Sequence, residues 1–205
     1  GSFRATGTVT VGGDLVVDGT DTFALGNPAN SYTGNTVVSS GTLKLLGSNA
    51  IPNGPGKGDL LLTGSLDLQG SSDTINGLQG SGTIDNTASS PSLLAAGSND
   101  RSSTFAGSIR STTGSVSLSK IGSGSLAISG ANSHTGTTRV AAGTLLLGSS
   151  TALGTADSGT IVFSGATLDL GGQTVSVAEP LVLSGTGTSG KGALANSGTS
   201  AAGLA

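Results

Sequence analysis

Residues 29–51 read ANSYTGNTVVSSGTLKLLGSNAI, and residues 131–153 read ANSHTGTTRVAAGTLLLGSSTAL. Of these 23 aligned positions 13 are identical, among them Asn30/Asn132, Thr33/Thr135, Gly34/Gly136, Thr36/Thr138, Val38/Val140 and the Gly-Thr-Leu runs opening at Gly41 and Gly143. The echo continues with small gaps: Gly58-Asp-Leu-Leu-Leu-Thr-Gly64 faces Gly159-Thr-Ile-Val-Phe-Ser-Gly165, and Ser65-Leu-Asp-Leu68 faces Thr167-Leu-Asp-Leu170. Two copies therefore lie near 29–70 and 131–172. A chain that repeats over a long period stacks similar units, each burying its apolar edge on its neighbours.

Composition narrows what those units are. The chain has 37 Gly in 205 residues, 9% charged residues and 34% hydrophobic residues. Disorder goes with low hydrophobicity and high charge, whereas here the apolar residues alternate with polar ones. Thr8–Val11, Thr42–Leu45, Ser65–Leu68, Val116–Leu118, Leu126–Ile128, Ile161–Phe163, Leu168–Leu170, Val175–Val177 and Leu181–Leu183 read as short strands with one face inward. Helix is disfavoured, because each interior Gly costs roughly 1 kcal/mol against Ala and β-branched residues fill much of the remainder. Only Ala193–Ala205 is ambiguous.

Short strands with Gly, Ser, Asn and Asp corners and no crossover helix can run parallel only if the chain winds continuously. The expected fold is all-β, a parallel β-helix, with inward Val, Leu and Ile stacked coil upon coil and Gly or Asn at the corners. At about 20–25 residues per coil and roughly 4.8 Å between coils, the chain would make about eight to ten coils and a body about 40–50 Å long. Residues 1–205 are expected to form one continuous β-helix segment of a larger protein. Gly1-Ser2 reads as the remnant of a cleaved tag, and Pro52 and Pro55 mark a corner loop. Asn30, Gly34 and Gly41, with Asn132, Gly136 and Gly143, are the expected repeat turns.

The run Leu126-Ala-Ile-Ser-Gly-Ala-Asn-Ser-His-Thr-Gly-Thr-Thr-Arg-Val-Ala-Ala-Gly-Thr-Leu-Leu-Leu147 resembles the autotransporter-associated β-strand repeat of type V secreted bacterial passengers. Ser103–Ile109 and Leu118–Leu126 fit that family's lead-in to its Asn-x-x-x-Gly turn. His134 departs from it, standing where the family usually carries an aromatic residue and where the first copy has Tyr32. The resemblance implies a right-handed helix outside a Gram-negative-type cell, with the membrane reached only through a translocator barrel absent from this chain. It implies architecture and export route rather than activity. One Tyr and four Phe cannot furnish the aromatic girdles of a membrane barrel.

Gly185–Gly192 satisfies G-x-G-x-x-G and the G-x-x-x-x-G-K core of a phosphate loop, but Gly192 stands where Ser or Thr should hold magnesium. His134 is the single histidine, so any Ser-His-Asp triad must use it; exchange with Tyr32 reads instead as partly exposed packing. Ala156-Asp-Ser-Gly-Thr160 has the outline of a serine-protease nucleophile loop without its preceding Gly. Asp67 and Asp169 are equivalent positions alternating with Leu and read as a solvated face. Asp14, Asp18 and Asp21 form the densest acidic cluster, the one candidate for calcium, yet the G-G-x-G-x-D pattern of calcium β-rolls is missing.

No catalytic, cofactor or metal residue is thus assigned, and no cofactor is expected. There is no Cys, so neither disulfides nor thiolate sites contribute. A net charge of −3 with Lys44, Lys57, Arg101, Arg110, Lys120, Arg139 and Lys191 dispersed leaves no basic stripe for nucleic acid. Such dispersed basic side chains read as guards of exposed β-edges. No apolar run approaches the ~18 residues a helix needs to cross a bilayer. The function expected is a non-enzymatic structural rod for surface display, adhesion or self-association, assisting export by coil-upon-coil folding. Its partners would be further copies or cell-surface and matrix ligands. The alternative is a polysaccharide-acting enzyme with two carboxylates from separate coils roughly 5–9 Å apart.

Overall fold

Each strand alternates because successive side chains point to opposite sides, and three such strands joined by tight corners close one coil. The computed structural model describes residues 2–205; Gly1 lies outside the described residues. It shows a parallel β-solenoid with three faces, named here in the order the chain visits them. Face 1 stacks nine strands: Leu15–Val17, Thr36–Val38, Leu60–Leu62, Leu78–Gly80, Ser103–Phe105, Ser125–Ile128, Thr144–Leu147, Thr167–Asp169 and Leu194–Ala195. Face 2 stacks Ser2–Ala5, Thr22–Leu25, Thr42–Leu45, Ser65–Asp67, Thr83–Asp85 and Ser108–Ile109. Face 3 stacks Asp73–Ile75, Ser92–Ala96, Val116–Lys120, Thr138–Val140, Thr160–Val162 and Leu181–Leu183. Thr174–Val175 and Gly203–Leu204 pair where the winding returns to face 2.

All the strand pairings above are parallel, and nine strands on face 1 mark nine coils, within the expected eight to ten. On face 1 a coil takes 18 residues at its shortest, from Leu60 to Leu78, and 26 at its longest, from Leu168 to Leu194. Apolar ladders fill the interior, such as Leu43–Leu66–Ile84–Ile109 on face 2, all buried. One core cluster runs from Val17 to Ala193.

One expectation fails locally, and the one ambiguous stretch is resolved. Thr8–Val11 is not a strand: its Val9 and Val11 carbonyls still accept Ser31 N at 3.0 Å and Thr33 N at 3.3 Å, but the Asn30 side chain takes the Val9 N–H at 2.8 Å and interrupts the ladder. Ala193–Ala205 holds no helix but two of the two-residue strands, Leu194–Ala195 and Gly203–Leu204. The only helical turn among the described residues is Thr188–Gly190, a 3-10 turn inside the Gly185–Gly192 corner.

The repeat and the coil are out of step. Thr36–Val38 lies on face 1, while its counterpart Thr138–Val140 lies on face 3; Thr42–Leu45 lies on face 2 and Thr144–Leu147 on face 1. From Thr36, four coils lead to the face 1 strand Ser125–Ile128, and two further faces reach Thr138. The 102-residue period is therefore four coils and two thirds, and the second copy presents its surfaces one face round from the first.

Candidate functional site

The repeat turns form the same bracket twice. Asn30 Oδ1 accepts the Val9 N–H at 2.8 Å from the coil below, and its Nδ2 donates to Ala50 O at 2.8 Å in the coil above. Asn132 does likewise with Ile109 N at 2.8 Å and Ala152 O at 2.6 Å. Each asparagine is a buried clamp across three coils, standing where a regular strand is interrupted. Two residues on, the Tyr32 hydroxyl meets Thr36 Oγ1 at 2.7 Å, and His134 Nε2 meets Thr138 Oγ1 at 3.0 Å. Gly34 and Gly136 press their backbones on the coil below, where a Cβ would strike Gly13 and Asp14 in one case and Val116 and Ser117 in the other. Gly41 and Gly143 both hold φ +65°, which favours glycine.

His134 is therefore not partly exposed; it is 0% exposed, as Tyr32 is 1%. Both share the inward parity of Asn30, Thr36 and Val38, or of Asn132, Thr138 and Val140, so alternation continues through the turn. Burial pushes the imidazole down to about 4, offset only in part by the Ile109 carbonyl, and Nδ1 has no hydrogen-bond partner. Ser158 donates its hydroxyl to Thr135 O at 2.8 Å, while Asp157 accepts from Thr155 Oγ1 at 2.7 Å. The His134 ring bonds neither of them.

The aspartates also depart from the expected solvated face. Asp67 and Asp169 are 6% and 9% exposed. Each reaches to a corner one coil on: Asp67 Oδ2 accepts from Thr87 Oγ1 at 2.7 Å, and Asp169 Oδ1 accepts from Ser197 N at 2.9 Å. Asp85 repeats the device with Thr112 N at 3.0 Å and Oγ1 at 2.7 Å. Asp67 and Asp85 are register partners, so face 2 does bring two carboxylates from separate coils side by side. Both are occupied. Lys44 lies 3.6 Å from Asp67, and Arg110 Nε 2.7 Å from Asp85. Burial raises the Asp85 pKa, but Thr112, the Asn86 amide and Arg110 outweigh it and hold the carboxyl below its usual range. A carboxyl held low, as that of Asp85 is, does not suit the general acid of glycoside hydrolysis, which needs a raised pKa.

At the first coils, Asp14 Oδ1 accepts the Asn35 N–H at 2.7 Å, and Asp18 Oδ1 accepts Ser40 Oγ at 2.9 Å. The Asp14–Asp18 segment thus serves coil contacts. Among the described residues no group of three or more His, Cys, Asp or Glu is placed to hold a metal ion.

Three buried polar residues escaped the sequence reading. Lys120, 1% exposed, donates Nζ to Ile121 O at 2.6 Å, Gly122 O at 2.8 Å and Ala142 O at 3.2 Å, so it is not an exposed edge guard. Burial draws its pKa down to about 8, with Asp100 pulling the other way. Asp73, 2% exposed, accepts Ala50 N at 2.7 Å and Ile51 N at 3.3 Å, and burial pushes it up to about 7 despite those bonds. Glu179 accepts from Thr160 Oγ1 at 2.7 Å, with its pKa raised by burial. Parity could have found Lys120, in step with Val116 and Leu118, and Asp73, in step with Ile75. Glu179 precedes Pro180 in an irregular corner and carries no such signal.

The outer surface holds one long trench on face 1, lined by Ser125, Thr144, Thr167, Asp169, Thr188 and Lys191. Thr42, Ser65 and Asp67, equivalent to Thr144, Thr167 and Asp169, line a smaller one on face 2. The two trenches are one surface built twice and turned by a face.

Comparison with protein-family models matches residues 15–45 and 118–147 to the passenger-associated-transport-repeat. Comparisons with curated proteins and with solved structures gave no match. Both matched segments cover the same structural stretch, from one strand through the asparagine bracket to the Gly41 or Gly143 corner and the strand beyond it. Both segments are similar to that repeat, and the solenoid that carries them fits a segment of an autotransporter passenger.

Proposed function

We propose that this chain is a non-catalytic structural segment of a secreted autotransporter passenger, a rigid rod that holds other parts of the passenger away from the cell. The observation that carries the reading is where the carboxylates go. At least nine of the eleven Asp and Glu residues hydrogen-bond a neighbouring coil: Asp14, Asp18, Asp59, Asp67, Asp73, Asp85, Asp100, Asp169 and Glu179. Acidic groups that would do chemistry elsewhere here staple coil to coil. A rod of this kind also adds one templated coil at a time, which biases outward movement of an emerging chain. Adhesion and self-association are assigned to the two trenches, whose half-buried hydroxyls and balanced charges suit polar, uncharged contacts.

The test is deletion of residues 36–137 from the full passenger. Normal display with intact distal activity supports a spacer; lost distal activity with normal display overturns it. Sedimentation velocity over a wide concentration range reads self-association, and a monomer at all concentrations removes that part of the proposal. The enzyme alternative rests on the Asp67–Asp85 register pair. It requires a hydrolase or lyase activity on polysaccharide that Asp67→Asn abolishes.

A further inference from the structure

The two repeat copies differ at one interior position in a way that changes how they answer to acid. Tyr32 and His134 fill the same place, each bonded to the threonine four residues on. A tyrosine stays neutral at any moderately acidic pH, whereas a histidine does not. His134 is wholly buried, and its Nδ1 has no acceptor. The ring is closed in by Gly154, where an added Cβ would touch Cε1 and Nδ1 at 2.8 Å. The same residue holds the next coil, because its carbonyl accepts Thr155 N at 3.1 Å and Thr155 Oγ1 at 3.3 Å.

No carboxylate acts on the imidazole among the described residues. On the coil below, Arg110 is itself a cation and is held by Asp85. On the coil above, Asp157 is exposed and bonded to Thr155. Glu179 turns to Thr160, the register partner of Thr138, and does not bond the ring. A second proton on His134 would place a charge in the buried core, with only the Ile109 carbonyl to offset it.

We propose that the second copy is an acid-released latch: protonation of His134 opens the corner at residues 131–155 and frees it from the adjoining coils, while the first copy stays closed. The solenoid permits such a local event, because each coil contacts only its neighbours.

The sign follows from a folded-state pKa below the unfolded value of 6.5. Stability from neutral His134 is full above 6.5 and is lost as pH falls towards 4. The test is amide hydrogen exchange of the 205-residue protein between pH 7 and pH 4, each rate normalised to its intrinsic rate at that pH. Opening of residues 131–155 should rise by roughly a hundredfold between pH 7 and pH 4. His134→Tyr should abolish the rise, and Tyr32→His should transfer it to the first copy. If His134→Tyr does not fold, the Tyr32→His variant and the NMR titration of the His134 ring decide. Equal responses of the two copies, or a His134 that titrates near 6.5 in the folded protein, overturns the latch.

Discussion

At the scale of the residue, the buried polar side chains divide by whether every atom is satisfied. Asn132 uses both ends of its amide, so Asn132→Ala should leave the Ile109 N–H and the Ala152 carbonyl unpaired and cost about 3 kcal/mol in urea denaturation. Asp73 is the opposite case, with Oδ1 unpartnered and its folded-state pKa raised from 3.8 to about 7. A raised carboxyl stabilises most below its unfolded pKa, so this contribution is full under pH 3.8 and is lost as pH climbs through 7. Asp73→Asn should raise stability at pH 8 by a few kcal/mol and flatten its alkaline dependence. These residues obey the inward parity of their strands, so their burial was legible from alternation. Their partners were not, lying 20 and 23 residues distant in the coils above or below.

At the scale of the element, a strand of three residues makes too few bonds to hold itself, and side chains at its ends complete it. Lys120 closes the end of Val116–Lys120 by binding three carbonyls, two in its own corner and one in the next coil. Lys120→Met keeps the volume and removes the donors; it should cost about 1–3 kcal/mol and raise amide exchange at the following corner, residues 121–124. The strand Val116–Leu118 was read correctly from its alternation, yet it runs two residues further because Lys120 turns inward. Thr8–Val11 alternates equally well and is no strand, since its neighbour is the Asn30 bracket. Alternation states which side a residue would take and leaves open whether a partner strand lies beside it.

At the scale of the whole molecule, the length of the rod and the facing of its surfaces come from different counts. Length follows the number of coils, so deleting residues 36–137 should shorten the body by about 22 Å, measurable by small-angle scattering, at roughly 4.8 Å per coil. Facing follows the fraction of a coil in the period, so everything beyond that deletion should also turn by one face. The sequence by itself determined the fold class, the repeat and the inward side of most strands, because these rest on local alternation and on glycine and asparagine at the corners. Tertiary structure alone decided the face 1 coil lengths of 18 to 26 residues, hence the turn of one copy relative to the other, and which buried polar groups meet. Register across coils accumulates the lengths of irregular corners, and no local pattern encodes that sum. The burial that makes His134 and Asp73 titrate so far from ordinary values exists only once their coils are stacked.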